Sequence, residues 1–247
     1  MPVFQKQMVV HEWPQDMPLA VNALDSDQAL ALISVALPDT TSRLLARERI
    51  RSALRETLAV FLDQPAASIP LVARPGQPIR LAWPFERIQV SVSHMPGMSV
   101  AAISRRGSIG VDVMHVDQSS EAMHDWARVA LDYLGPTVTA SLQRTCPAQR
   151  PAAFSRAWTR FEACLKCLGM ALTEWTPTLA RQLAECRVMA LALPDNCRGA
   201  LAIKPLHVRL ETADRNVELN SGATHDTVHL RPSGHVNIQC AARLSRR

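Results

Sequence analysis

The sequence predicts an α+β fold built from two similar halves, and three observations carry that reading. An amphipathic helix is followed by strands of period-2 alternation, the same order occurs a second time, and the strand predicted over 98–103 resembles one predicted over 236–242. The turn region 104–108 divides the chain into an N-terminal half, 1–105, and a C-terminal half, 106–247, each small enough to need the other for a sufficient core. With 247 residues, 47% of them hydrophobic and 20% charged, the chain has the composition of an ordinary globular protein.

Residues 1–38 are interrupted by Pro14, Pro18 and Pro38 and read as short strands and loops. The segment 39–62 is the first clear helix. Asp39, Thr40 and Ser42 offer N-caps, and Ala46, Ile50, Leu54, Leu58 and Leu62 form an apolar stripe flanked by Ala53 and Phe61. Arg43, Arg47, Arg51 and Arg55 recur at i+4 on this helix. With Arg49 they outnumber Glu48 and Glu56, a cationic run suited to a solvated face, to phosphate or to an acidic partner. Pro65 closes the helix.

Beyond a Pro/Gly-rich loop over 74–78, Ile88, Val90 and Val92 alternate with Gln89, Ser91 and Ser93, the period of a half-buried strand. A second strand, 98–103, follows the Pro96-Gly97 turn. A third, 109–116, sets Ile109, Val111 and Val113 on one face and Gly110, Asp112 and Met114 on the other. Over 154–168 the residues Phe154, Trp158, Phe161, Leu165 and Leu168 recur at helical spacing, Ser155, Thr159, Glu162 and Lys166 take the opposite side, and Gly169 is a C-terminal stop. Strands are predicted again over 188–193, 201–210, 225–230 and 236–242, the last two around a Pro232-Ser233-Gly234 turn.

The net charge of +5 and pI of 9.1 favour an acidic partner: nucleic acid, an acidic protein or a phosphate-rich small molecule. Aromatic residues make up only 4% of the chain, which leaves few stacking platforms, and no zinc-finger, ribonucleoprotein-type or basic-zipper signature occurs, so nucleic acid is not the expected partner. No stretch has the character of a signal peptide or membrane span, so a cytoplasmic protein without a membrane partner is expected. Of the cysteines at 146, 164, 167, 186, 197 and 240, only Cys164 and Cys167 are closely spaced. No second pair completes a zinc site, and all six read as reduced thiols, that pair as small residues of a helix with a redox or zinc role as the alternative.

Three groupings bear chemistry. Asp112 and Met114 share a strand face, where a carboxylate can hold a hard cation or, more simply, cap a turn. Glu162 and Lys166 lie one helical turn apart, either as an exposed ion pair or as a carboxylate that binds metal or takes a proton beside an ammonium that meets phosphate oxygens. Ser93 and His94 end a strand with a hydroxyl and an imidazole suited to an anion. No nucleophile-elbow glycine pattern surrounds Ser93, so a Ser-His-Asp hydrolase is not indicated.

In this order, V-S-V-S-H-M (90–95), G-V-D-V-M (110–114) and W-T-R-F-E-A-C-L-K-C-L-G (158–169) resemble the three motifs of the 4'-phosphopantetheinyl transferase superfamily, with the spacing of its larger, surfactin-synthetase-activating type. The third motif is the most specific, similar to W-[ST]-x-K-E-A-x-x-K-x-x-G at all but one fixed position. The resemblance implies a monomer of two α+β halves related by a pseudo-twofold axis, with coenzyme A and Mg²⁺ in the cleft between them. It implies transfer of the 4'-phosphopantetheine group from coenzyme A to a serine of an apo acyl or peptidyl carrier protein with an acidic surface, releasing adenosine 3',5'-bisphosphate. The alternative is a weakly active or inactive relative that binds carrier protein or coenzyme A.

By the same resemblance Asp112 and Glu162 are the metal carboxylates, and Asp112, Glu162 and Lys166 the catalytic set, with Lys166 at the pyrophosphate. Ser93, His94, Arg43 and Arg47 hold the nucleotide end of coenzyme A, Ser93 and His94 taking its 3'-phosphate. Three positions depart from the family pattern: Met114 in place of a frequent second glutamate, Phe161 in place of a lysine, and Gln77 of Gly76-Gln77-Pro78 in place of a basic residue. Phe161 is expected on the apolar stripe with Trp158 and Leu165, about 100° around the helix from Glu162.

Overall fold

The computed structural model describes residues 7–74, 77–117 and 124–205. The N-terminal region differs from the expectation of strands and loops. After the two-residue strand β1 (His11–Glu12) comes a helix, α1 (Met17–Asp25), and then a full strand, β2 (Leu30–Ala36). Pro18 misled the reading: it occupies the first turn of α1, where its missing N–H would have had no helical partner, while Ala20 and Leu24 bury the helix face at i, i+4.

Helix α2 (Arg43–Leu62) starts at Ser42, whose hydroxyl accepts from the Leu45 amide, and ends at Asp63 in the left-handed conformation. Its predicted stripe is buried at Ala46, Ile50, Ala53, Leu54 and Leu58. Two short strands, β3 (Leu71–Val72) and β4 (Arg80–Leu81), pair with each other, and β5 (Gln89–Met95) and β6 (Met98–Ser104) form a hairpin. Gly97 at φ +77 makes that turn, and a side chain there would strike the Asp39 carboxylate. Then follow β7 (Gly107–His115), α3 (Trp126–Val129), a π-helical stretch at Ala130–Leu134, α4 (Gly135–Arg144), α5 (Arg150–Cys167), α6 (Pro177–Leu183), β8 (Arg187–Ala190) and β9 (Cys197–Pro205). The strands expected over 225–230 and 236–242, the turn between them and the end of the strand expected over 201–210 lie outside the described residues, as does Cys240.

The strands form a four-stranded sheet in the order β1-β2-β6-β5 and a three-stranded sheet in the order β7-β9-β8. Alternation along β2 and β6 divides their side chains. Ala31, Ile33, Val35, Ala101 and Ile103 meet α1 and α2, whereas Leu30, Leu32, Val100 and Ala102 meet Ile109, Val111, Val113 and Leu201 of the second sheet. The outer face of that second sheet carries α5, through Ala163, Cys164 and Cys167 against Ala200 and Ala202. A long helix thus covers the outside of each sheet. Among the described residues, no helix is long and apolar enough to cross a membrane.

Helix α5 is buried on more of its circumference than one amphipathic stripe predicts. Phe161 and Leu165 lie in an apolar cluster with Ala130, Leu134, Leu142 and Leu179. Ser155 and Thr159, on the side expected to be polar, are buried too, and the Thr159 hydroxyl returns to the Ser155 carbonyl at 3.0 Å. The helix approaches β7 closely because position 110 is glycine: a β-carbon there would overlap the Ala163 carbonyl oxygen and the Cys167 amide nitrogen.

Candidate functional site

One cavity, of about 720 Å³, is lined by Arg43, Arg47, Ser93, His94, Asp112, Glu162 and Lys166, every site residue singled out in the sequence. Period-2 alternation on β5 distributes two of them. Ser91 and Ser93 point to β7, and His94, on the side of Val90 and Val92, faces α2.

The two serines join the sheets through side chains. The Val111 amide donates to Ser91 Oγ at 3.1 Å and the Val113 amide to Ser93 Oγ at 3.2 Å. Ser93 Oγ in turn donates to Asp112 Oδ1 at 2.8 Å. The Ser93 hydroxyl is therefore spent on β7 and fixes the Asp112 carboxylate, which is 5% exposed.

Lys166 reaches the same carboxylate from α5. Its Nζ donates to Asp112 Oδ1 at 2.8 Å, to the Val111 carbonyl at 3.0 Å and to the Val92 carbonyl at 3.5 Å, so the ion pair runs across to the sheet. Glu162, one turn earlier, accepts from Trp158 Nε1 at 2.9 Å. Burial first, and then the Asp112 carboxylate beside it, push the Glu162 carboxyl above its ordinary 4.5, against the opposing pull of Lys166 and Trp158. Two carboxylates that repel each other in a half-buried cleft fit a hard divalent cation, whose charge offsets that repulsion and whose preferred ligands are oxygens. The donor set is sparse, since Met114 lines the cavity with a thioether. Among the described residues, no group of three or more His, Cys, Asp or Glu side chains is placed to hold a metal ion.

His94, on the wall of the same cavity, shares a hydrogen bond of 2.8 Å with Ser99 Oγ. Burial, and then the cations Arg43, Arg47, Lys166 and Arg51, lower its imidazole from 6.5 to about 4. A histidine so depressed marks positive potential from four side chains, the setting that attracts a polyanion. Arg43 and Arg47 are exposed, and Gln77 lines the wall in the place of a further cation.

Sequence reasoning left Arg51 unassigned, missed Arg74, and counted Trp158 as core alone; all three line this cavity. The i+4 stripe was the available signal for Arg51, and the indole N–H four residues before Glu162 was the signal for Trp158. Arg74 stands in a loop and left no pattern to find. Phe161 faces away, 6% exposed and tilted against Tyr133 and Trp158, as its place on the apolar stripe implies.

A search of curated proteins returns no match. Residues 108–203, which carry Asp112, Glu162 and Lys166, match the family model of the 4'-phosphopantetheinyl transferase superfamily, so this stretch of the chain is similar to that family of transferases.

Proposed function

We propose that the protein transfers the 4'-phosphopantetheine group of coenzyme A to a serine of an apo acyl or peptidyl carrier protein. The observation that carries this reading is the convergence in one cavity of a carboxylate pair, a lysine and a cation-rich wall. That arrangement suits a ligand with a reacting pyrophosphate and a remote phosphate. Arg43, Arg47, Arg51 and His94 bind the nucleotide end. Asp112 and Glu162 are the residues that would hold Mg²⁺, which when bound neutralises pyrophosphate oxygens.

Glu162, on the polar side of α5 beside Asp112, takes the proton of the carrier serine. The serine oxygen forms its bond to the β-phosphorus as the bond from that phosphorus to the bridging oxygen breaks, and adenosine 3',5'-bisphosphate leaves. Lys166 neutralises the leaving phosphate, moving from Asp112 as charge develops there. Ser93 positions Asp112 through its 2.8 Å bond and leaves phosphate binding to His94 and the arginines.

The larger, surfactin-synthetase-activating type is the proposed subtype, a monomer whose halves, 1–105 and 106–247, are related by a pseudo-twofold axis. The long helix on the outside of each sheet supports that relation. The cationic wall also suits an acidic carrier surface. The test is incubation with coenzyme A, Mg²⁺ and a panel of apo carriers, each weighed by mass spectrometry. The expected result is a carrier heavier by one phosphopantetheine with release of adenosine 3',5'-bisphosphate. Unmodified carriers throughout, with coenzyme A still bound in calorimetry, support the alternative of a binding protein.

A further inference from the structure

The flank of α5 turned away from the candidate site holds a second concentration of reactive groups. Cys164 and Cys167 are buried against Ala200 and Ala202 of β9, and Cys186, in the turn between α6 and β8, packs against them. A thiol has a single proton, and Cys167 directs its own to the Ser108 carbonyl at 3.3 Å, which leaves Cys164 as the thiol open to Cys186. Cys186 is half-buried, and it and Cys164 line an open cavity of about 1140 Å³ formed largely by α4, α5 and α6, a route for a small oxidant.

The groups beside Cys186 favour its thiolate. The neighbouring thiols lower its proton affinity most, burial opposes them, and the Lys204 ammonium, bridged at 2.6 Å to Glu185, adds to the lowering.

We propose that Cys186 is a peroxide-reactive thiol whose oxidation closes a disulfide to Cys164 and ties the α6–β8 turn to the back of α5. The Cys186 thiolate attacks one oxygen of hydrogen peroxide. The O–O bond breaks, hydroxide leaves, and Cys186 becomes a sulfenic acid. The Cys164 sulfur then attacks the Cys186 sulfur, its proton joins the departing hydroxyl as water, and the disulfide forms. Two thiols are oxidised by two electrons in total and one peroxide is reduced. The tie joins the helix whose other side carries Glu162 and Lys166.

The experiment uses the full chain at neutral pH and needs no carrier or coenzyme A, so its outcome is independent of the transferase reading. Iodoacetamide should modify Cys186 roughly tenfold faster than the exposed Cys146, since a larger thiolate fraction outweighs its weaker intrinsic nucleophilicity. Hydrogen peroxide should then yield a protein two hydrogens lighter, with a single crosslinked peptide joining 164 to 186. In Cys164→Ser the Cys186 sulfenic acid should persist and be trapped by dimedone. Equal labelling of Cys186 and Cys146, no crosslink, or a crosslink of Cys186 to Cys167 would each overturn the proposal, and the first three measurements are made on the unmutated protein.

Discussion

Glu162 occupies a place that its ionised form weakens. Its carboxyl is raised above 4.5, so the native state holds this proton to higher pH than the unfolded chain, and the stability it contributes is lost as pH rises through the native value. At neutral pH Glu162→Gln should therefore raise the melting temperature by a few degrees in metal-free buffer, because the amide still accepts from Trp158 and no longer repels Asp112. Transfer should fall by at least ~100-fold in the carrier mass assay, since amide oxygen and nitrogen take no proton. His94 has the opposite sign. Lowered from 6.5 to about 4, it withdraws stability as pH falls through that window, because the unfolded chain takes up a proton there and the native imidazole does not. A bound polyanion offsets the surrounding arginines, so NMR titration of the imidazole should find a value near 4 in the free protein and a clearly higher one with adenosine 3',5'-bisphosphate. An unmoved value would remove His94 from the phosphate site. The adjacency of Ser93 and His94 in sequence suggested one shared task; strand alternation separates them, one to Asp112 and one to the arginines.

Among the elements, α5 holds the site through its distance from β7. Gly110→Ala should push the helix off the sheet, because the new methyl meets backbone atoms of Ala163 and Cys167 that cannot rotate aside. The expected cost is about 2 to 3 kcal/mol in denaturant unfolding, with a larger proportional loss of turnover as Lys166 leaves Asp112. Phe161→Lys tests the other flank. An ammonium among Tyr133, Trp158 and Leu165 should cost about 1.5 to 3 kcal/mol in thermal unfolding while coenzyme A affinity, measured by calorimetry, stays unchanged or tightens. Weakened affinity at unchanged stability would put Phe161 in the site. The core helices α2 and α5 and the strands β5, β6 and β7 were legible because each repeats one period over a long run. Helix α1 was not, since Pro18 in a first turn is indistinguishable by composition from a Pro in a loop, and Ser155 and Thr159 were read as polar face although α5 is enclosed on that side also. The arginine stripe was legible only in part: each i+4 step turns about 40°, so Arg55 stands about 120° from Arg43 and leaves the cavity wall to Arg43, Arg47 and Arg51.

At the scale of the molecule, the candidate site is assembled from four elements far apart in the chain, α2, β5, β7 and α5, which no local pattern connects. The motif residues were legible by type and order, but that Ser93 serves Asp112, or that Lys166 crosses to the sheet, depends on how the sheets meet. They meet at the edge of β7, where a neighbouring strand would ordinarily supply carbonyls and amides and where two serine hydroxyls of β5 and the Lys166 ammonium stand instead. The amides of Val111 and Val113 are consequently latched by side chains, and their exchange with deuterated solvent becomes a clock for the opening of the site. Ser91→Ala and Ser93→Ala should each speed exchange at the one amide that its hydroxyl holds, whereas the amides of α2 should keep their protection. A polyanion that draws Lys166 off the Val111 carbonyl should alter the same two rates, so the pair registers occupancy of the cavity.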